Sequence, residues 1–260
     1  MTINNKGSIN TRIDLTGQIA MVTGASSGLG WQFARVLAAA GAKVIATGRR
    51  ENKLRELEAV IRQDGGECQS VLMDMTDAEN IMNAVDKAEV VFGRLTILVN
   101  NAGIPDSQLA MKMPVELIDR VLDTNLRGPF ILSCEVARRF KSAGIHGRIT
   151  NIASVAAYNY GGGGAALYSI TKGAVVRMTE VLAVEWARFH INVNAIAPGT
   201  FHSEMTDGML ARVGDVSGNF PRNRICEPSQ LDSTLLYLCA PASDCVTGTV
   251  IRVDDGQVAR

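Results

Sequence analysis

Short apolar runs alternate along the chain with longer stretches in which apolar residues recur every three or four positions. The short runs predict strands, and the longer amphipathic stretches predict helices. Because strand, helix and strand form the repeating unit of a parallel sheet, the alternation predicts an α/β fold. We expect a doubly wound, seven-stranded parallel sheet with helices on both faces. The predicted strands cover residues 18–22, 41–47, 68–74, 95–100, 147–153, 191–197 and 249–253.

The predicted helices fill the intervals between these strands and leave no boundary for a second domain. The first predicted helix follows the glycine turn and ends near residue 40. The others cover residues 52–63, 77–92, 165–189 and 228–239, and two further helices between 114 and about 143 are joined at 123–129. Asp77 is placed to cap the helix over 77–92. The polar residues 1–14 are expected to form a flexible arm and residues 15–260 one domain, with the mixed pattern over about 200–225 as a lid on a cleft.

Composition and charge narrow the classes of partner. The 26 basic and 26 acidic residues balance in this 260-residue chain, so its charge favours neither nucleic acid nor an anionic membrane. No apolar run reaches the roughly 18 residues of a membrane span, and the first residues lack the apolar core of a signal peptide. The five cysteines are scattered, without a Cys-x-x-Cys pair, which predicts reduced thiols in a cytoplasmic protein and no metal site.

A glycine-rich turn follows the first predicted strand. Gly24, Gly28 and Gly30 are spaced G-x-x-x-G-x-G and open directly into a helix. Glycines at such a turn let the backbone approach a pyrophosphate, and the free N–H groups of the helix N-terminus attract an anion. The order of strand, glycine turn and helix predicts a dinucleotide site of the Rossmann type. A glycine-rich turn that binds nothing is the alternative.

The end of the second predicted strand bears on the choice between NAD and NADP. A carboxylate there would bind the ribose hydroxyls of NAD, whereas an arginine accommodates the 2′-phosphate of NADP. Arg49 and Arg50 follow the strand, and no carboxylate occupies its tip. The sequence therefore favours NADP, with Arg49 as the expected phosphate contact, and leaves NAD open. Two solvated charges are the alternative for this pair of arginines.

A serine, a tyrosine and a lysine form a candidate acid–base group. Ser154 ends a predicted strand, and Tyr168 and Lys172 stand four residues apart on one face of a predicted helix. A lysine cation close to a phenol favours the phenolate, so the sequence predicts a lowered pKa for Tyr168. The alternative is a chance spacing of a half-buried ring and a solvated lysine. Tyr158 and Tyr160 have no lysine four residues further on and are excluded as the acid.

Taken together, these residues make the chain resemble the short-chain dehydrogenase/reductase family over nearly all of residues 15–256. The marks of the resemblance are Thr23-Gly24-x-x-x-Gly28-x-Gly30, Asn100-Asn101-Ala102-Gly103, Asn125, Ser154, Tyr168-x-x-x-Lys172 and Pro198-Gly199. The resemblance implies an oxidoreductase that transfers a hydride between NADP(H), or NAD(H), and a small-molecule carbonyl or secondary alcohol. It also implies a homotetramer or homodimer.

The resemblance further implies a role for each matching residue. It gives Tyr168 as the catalytic acid–base group, and Lys172 as the residue that holds the nicotinamide ribose and lowers the pKa of the tyrosine. It gives Ser154 as the hydroxyl on the substrate carbonyl, and Asn125 as the residue that orders a water in a proton relay. The implied cofactor contacts are Gly24, Ser26, Ser27, Gly28, Leu29, Gly30, Arg49, Asp74, Met75, Asn101, Ala102, Gly103, Tyr168, Lys172, Pro198, Gly199 and Phe201.

Three positions depart from the family pattern. Four glycines, residues 161–164, lengthen the segment before Tyr168. The chain has Val253-Asp254-Asp255-Gly256 where the family often has Val-Asp-Gly-Gly. Ser27 stands where many NADP-dependent members carry lysine or arginine, which leaves Arg49 to support the NADP preference.

The expected pocket walls bear on the substrate. Residues 104–113 and 200–220 predict an apolar or bulky substrate, such as a cyclic ketone, a steroid or an acyl chain, unless their apolar side chains only pack the lid. The apolar side chains are Met111, Met113, Phe201, Met205, Met209, Leu210 and Phe220. Arg212, Arg222 and Arg224 leave a carrier-bound substrate open. A nucleotide-sugar epimerase or dehydratase and a non-catalytic dinucleotide sensor are the alternative functions.

Overall fold

The computed structural model describes residues 13–258, so the arm predicted over residues 1–14 lies outside the described residues except at its end. Every predicted strand is present, with bounds close to those expected. The strands are β1 Ile19–Thr23, β2 Lys43–Gly48, β3 Glu67–Leu72, β4 Ile97–Asn100, β5 Arg148–Ile152, β6 Asn192–Pro198 and β7 Val250–Val253. All of them run parallel in one sheet, in the order β3-β2-β1-β4-β5-β6-β7, which confirms the predicted fold class.

The helices follow the predicted intervals, with one additional helix in the segment 200–225, for which a lid was predicted. They are α1 Gly28–Ala39, α2 Glu51–Gln63, α3 Ala78–Phe92, α4 Val115–Leu122, α5 Gly128–Ala143, α6 Ala166–Trp186, α7 Glu204–Val213 and α8 Asp232–Cys239. Asp77 caps α3 as predicted, since its side chain accepts a hydrogen bond from the amide of Asn80 at 3.0 Å. The segment over 123–129 is not a loop, because a π-helical turn, Asp123–Arg127, carries α4 directly into α5.

The core is divided by the sheet into two hydrophobic clusters. Ala20 and Val22 of β1 lie in one cluster and Met21 between them lies in the other, as expected when successive side chains of a strand point to opposite faces. Helices α1, α2 and α8 cover the first face, and α3, α5 and α6 cover the second. Burial on both faces explains why the central strands are continuous apolar runs.

The strand order places the functional edge of the sheet. β1 lies between β2 and β4, so the chain reverses its direction of winding at β1, and ligands bind such sheets beyond the carboxyl ends of the strands at that point. Among residues 13–258, no helix has the length and hydrophobicity of a membrane span. All five cysteines are free thiols, and no cluster of ligating side chains in this part of the chain has the make-up of a metal site.

Candidate active site

A cavity of about 550 Å³ extends along the carboxyl ends of the central strands, beneath α7. This is an ordinary size for a cofactor or substrate site. Every predicted site residue lines the cavity except Gly30 and Asn125, which lie behind its wall. The lining residues that were predicted from the sequence are Gly24, Ser26, Ser27, Gly28, Leu29, Arg49, Asp74, Met75, Asn101, Ala102, Gly103, Ser154, Tyr168, Lys172, Pro198, Gly199 and Phe201.

The glycine turn between β1 and α1 is packed too closely to accept side chains. Gly24 has a φ of +66°, and a Cβ added there would lie 2.8 Å from Cα of Ala102. A Cβ at Gly30 would lie 2.3 Å from the carbonyl oxygen of Gly24 and 2.4 Å from Nδ2 of Asn101. The turn therefore leaves its backbone bare at the start of α1, which fits the pyrophosphate of a dinucleotide.

Thr23 ties the loop after β4 to this turn. Its Oγ1 accepts hydrogen bonds from the amides of Asn101 at 3.0 Å and Ala102 at 2.9 Å. Nδ2 of Asn101 donates back to the carbonyl oxygen of Thr23 at 2.9 Å. Because Thr23 is fully buried, these bonds are shielded from water and fix two walls of the cavity relative to each other.

Asn125 acts on the same loop from behind. Its side chain is 1% exposed and forms a pair of hydrogen bonds with the main chain of Ile104, with Nδ2 2.9 Å from the carbonyl oxygen and Oδ1 2.8 Å from the amide nitrogen. Nδ2 also lies 3.3 Å from Oγ1 of Thr171 in α6. The amide thus joins the π-helical turn to the cavity loop and to α6. π-Helical turns of this kind recur at functional sites.

Tyr168 and Lys172 lie one turn apart in α6 and both face the cavity. Nζ of Lys172 donates a hydrogen bond to the carbonyl oxygen of Ile152 at 2.7 Å and lies 5.6 Å from the centroid of the Tyr168 ring. Lys172 is only 4% exposed, although lysine is seldom buried unless its charge is paired. Ser154 follows β5, beside this pair, and its Oγ accepts a hydrogen bond from the amide of Ala156 at 3.1 Å.

The pKa of Tyr168 is raised above its ordinary value, not lowered as the sequence suggested. Burial is the main cause, a hydrogen bond with Ser154 opposes it, and the charge of Asp106 adds to the rise. Burial also lowers the pKa of Lys172 to about 8. The expected lowering is not found here, because desolvation of the buried phenolate is the largest influence on the pKa. At neutral pH the site therefore presents a protonated phenol, which is a proton donor.

Asp106 is a site residue that the sequence analysis missed. It is 4% exposed, and its Oδ2 accepts hydrogen bonds from the amides of Leu167 at 2.8 Å and Tyr168 at 3.1 Å. The carboxylate satisfies free N–H groups in the first turn of α6, where a negative charge is stabilised by the helix dipole. No local motif marks Asp106, because the helix that it caps begins 60 positions later.

Arg50 lines the same cavity as Arg49. The sequence analysis favoured Arg49 over Arg50, but it is Arg50 whose guanidinium contacts the glycine turn, with Nη2 2.6 Å from Oγ of Ser27 and 3.0 Å from Oγ of Ser26. Arg49 also lines the cavity, and its Nη1 lies 3.9 Å from a carboxylate oxygen of Asp74. Both cations therefore lie at the end of the cavity formed by the glycine turn and β2.

The expected substrate walls are present only in part. Phe201, Met205 and Met209 line the cavity, whereas Met111 is 99% exposed and points to solvent. Met113, Leu210 and Phe220 are not among the lining residues. The excluded tyrosines, Tyr158 and Tyr160, are about half exposed and do not line the cavity, at 47% and 50%.

Comparisons with known proteins agree with this geometry. The short chain dehydrogenase family model matches residues 18–213. The chain is 37% identical to 2-dehydro-3-deoxy-D-gluconate 5-dehydrogenase of Dickeya dadantii over 97% of this chain and 99% of that protein. It is 34% identical to 3-oxoacyl-[acyl-carrier-protein] reductase of Escherichia coli, over 94% and 98% of the two chains.

The fold is shared with solved structures as well. A candidate NAD(P)-dependent gluconate 5-dehydrogenase of Beutenbergia cavernae, solved with NADP at low occupancy, superposes with a TM-score of 0.88. It is 34% identical, and the match covers 95% of this chain and 99% of that one. Family match, identity over nearly the full length and shared fold lead to one conclusion: the chain belongs to the short-chain dehydrogenase/reductase family of NAD(P)-dependent oxidoreductases, which act on CH–OH and C=O groups.

Proposed function

We propose that this protein is an NADP(H)-dependent carbonyl reductase, working reversibly as an alcohol dehydrogenase, with Tyr168 as its proton donor. One observation carries the proposal: a half-buried phenol and a buried lysine, one turn apart, face the same cavity as the glycine turn. Ser154 completes the group from the end of β5.

Each side chain has a proposed part in the proton transfer. A bound nicotinamide supplies or accepts the hydride. Tyr168, protonated at neutral pH, gives its proton to the carbonyl oxygen as that oxygen gains charge, and takes it back in the reverse direction. The Ser154 hydroxyl steadies the same oxygen. Lys172, fixed by Ile152, places a cation beside the phenol and favours the phenolate that remains after transfer.

The remaining predicted residues are proposed to hold the cofactor. The bare turn at Gly24 and the start of α1 suit the pyrophosphate, and Asp74 with Met75 suit the adenine. Arg49 and Arg50 suit a 2′-phosphate, which supports NADP(H) over NAD(H). Asn125 is proposed to order the proton-relay water, while its side chain keeps the loop at Ile104 in place.

The substrate is proposed to be apolar or bulky. Ile104, Pro105, Met205 and Met209 contribute apolar side chains to the cavity wall. A hydroxy or oxo acid is the second candidate, because Arg212 also lines the cavity and has no carboxylate within ion-pair distance among residues 13–258. Relatives that are named for gluconate derivatives favour the same candidate.

A substrate panel tests the proposal directly. Cyclic ketones, steroid ketones, acyl thioesters and sugar acids are each incubated with NADPH and with NADH, and cofactor absorbance is followed. We expect turnover with NADPH on at least one ketone. Binding of NADPH without turnover on any member would favour the sensor, and a strong preference for NADH would overturn the proposed cofactor. If sugar acids turn over, Arg212→Gln should raise their KM with little change in kcat.

The protein is further proposed to act as a homotetramer or homodimer in the cytoplasm. Exposed apolar side chains on α5 and α6 support self-association, among them Phe130 at 46% and Val184 at 82% exposure. The five free thiols suit a reducing compartment. Elution from a sizing column as a monomer at micromolar concentration would contradict the assembly.

A further inference from the structure

An ion pair joins Arg50 and Glu204, which both line the cavity. Nη1 of Arg50 lies 2.8 Å from Oε2 and 3.1 Å from Oε1 of Glu204. Arg50 immediately precedes α2, and Glu204 is the first residue of α7, the helix that covers the cavity. The pair therefore connects α7 to the end of the cavity at which the glycine turn lies.

All three nitrogens of the Arg50 guanidinium are engaged by this chain. Nε and Nη2 donate to Ser26 and Ser27, and Nη1 donates to Glu204. Burial alone would raise the pKa of Glu204, but hydrogen bonds from Arg50 and Ser27 and the charge of Arg50 hold it below its ordinary value. The carboxylate is thus ionised at neutral pH, and it lies where Arg50 would otherwise be open to an anion.

A 2′-phosphate at this end of the cavity would meet two carboxylates as well as two arginines. Arg49 faces Asp74, with Nη1 3.9 Å from Oδ2, and Arg50 faces Glu204. A phosphate monoester carries close to two negative charges at pH 7, and arginine binds such groups best through two parallel N–H bonds. Bidentate binding at Arg50 requires the Glu204 carboxylate to leave, and the two anions repel each other until it does.

We propose that Glu204 is a specificity-determining residue, whose carboxylate competes with the 2′-phosphate of NADP(H) for Arg50. The competition lowers the preference of the enzyme for NADP(H) over NAD(H). In NAD(H) the same position carries a hydroxyl, which can donate a hydrogen bond to a carboxylate. Glu204 thereby supplies from the lid the acidic group that the tip of β2 lacks. This inference rests on the proposed use of NADP(H) at this site.

Glu204→Gln tests the competition because it keeps the size of the side chain and removes its charge. Binding of NADPH and NADH to the full-length protein is measured by fluorescence titration. We expect Glu204→Gln to bind NADPH about tenfold more tightly than the wild type, because Arg50 no longer pairs with a competing carboxylate and is free to pair with the 2′-phosphate. Affinity for NADH should stay unchanged or fall. Asp207→Asn is the matched control, an exposed carboxylate in the same turn of α7, and should change neither affinity.

The Arg50→Gln variant tests whether the gain in NADPH affinity depends on Arg50. There, Glu204→Gln should no longer tighten NADPH binding, because the cation for which the two anions compete is gone. The wild type and Glu204→Gln are also titrated with adenosine 2′,5′-bisphosphate and with AMP, against a fluorescent reporter. Glu204→Gln should bind the bisphosphate more tightly than the wild type and AMP equally well.

Three results would overturn the inference. They are equal or weaker NADPH binding by Glu204→Gln, an equal gain for NADH, or an undiminished gain in the Arg50→Gln background. If the wild type and Glu204→Gln both fail to bind NADPH, the proposed cofactor itself is wrong and the inference falls with it. Normal NADPH binding with no effect of Glu204→Gln would overturn the inference alone.

Discussion

Nζ of Lys172 lies 5.6 Å from the centroid of the Tyr168 ring and is held there by the main-chain carbonyl of Ile152, at 2.7 Å. Helix α6 brings the two side chains to one face, and the hydrogen bond to Ile152 at the end of β5 fixes the position of the lysine ammonium. The ammonium is thus buried beside the phenol by a backbone group, without a carboxylate to neutralise it in the described structure. This placement suits chemistry at the expense of stability.

Replacing Lys172 should therefore stabilise the fold while it abolishes activity. Burial lowers the pKa of Lys172 from 10.5 to about 8, so the folded state disfavours the charged form. The penalty is complete below pH 8, and it fades between pH 8 and 10.5 as the folded protein sheds its proton before the unfolded chain does. We expect Lys172→Met to be more stable at pH 7, on the order of 2 kcal/mol after loss of the bond to Ile152.

Thermal unfolding at several pH values measures this difference. The stability advantage of Lys172→Met over the wild type should shrink across pH 8 to 10.5. Lys87→Met, at an exposed position of α3, is the control. It should show neither the gain in stability at pH 7 nor its loss between pH 8 and 10.5. A variant at Lys172 that is less stable than the wild type at pH 7 would contradict the assignment of a strained buried cation.

Asp106 should contribute to the pH dependence of alcohol oxidation. Oxidation needs Tyr168 to accept a proton, so its rate rises with pH towards the pKa of the phenol, and the charge of Asp106 contributes to raising that pKa. Asp106→Asn keeps an oxygen for the amides of α6 but removes the charge. We expect the rising limb of the kcat profile to shift to lower pH. Asp119→Asn, an exposed position of α4, should leave the profile unchanged.

An unshifted profile with normal kcat would show that the charge of Asp106 is not felt at the phenol. Asp106→Ala separates the two functions of this side chain, because it loses the helix cap as well. Its kcat should fall further than that of Asp106→Asn, together with stability, by about 1 kcal/mol for a lost N-terminal cap.

Gly30 should be the least tolerant position of the glycine turn. A Cβ there would lie 2.3 Å from the carbonyl oxygen of Gly24, so Gly30→Ala must displace the turn or the loop at Asn101. We expect a loss of at least tenfold in cofactor affinity and about 1–3 kcal/mol in unfolding free energy, as for other overpacked sites. Gly173→Ala in α6 is the matched control, since its Cβ would lie at an ordinary 3.9 Å from the carbonyl oxygen of Ala157. Equal effects of the two changes would contradict this account.

The sequence predicted the sheet and the floor of the site because both depend on local pattern. The central strands are apolar on both faces, and the turn at Gly24 is marked by its glycines and by the strand before it. The helix α7 was not predicted, because its mixed pattern includes Gly208 and buries only Thr206. A signal was present in Ser203, whose side chain caps the helix at the amide of Thr206.

Two contacts of the site were not predicted, and both join residues that are far apart in the sequence. Asp106 caps a helix that begins 60 positions later, and Arg50 pairs with a carboxylate 154 positions away. The residues that flank each partner in the sequence do not indicate which distant residue it will contact. The sign of the Tyr168 pKa shift was also out of reach, because it depends on how deeply the ring and Lys172 are buried and not on their spacing.

Tyr168→Phe is the most direct test of the central claim, that this phenol transfers the proton. The substitution removes only the hydroxyl, so the ring stays in place, and binding of NADPH and the unfolding midpoint serve as controls for the fold. With a substrate identified from the panel, kcat should fall by about a thousandfold, within the usual range for loss of an acid–base group, while NADPH affinity changes little. A variant that keeps the cofactor affinity and near-normal kcat would contradict the account.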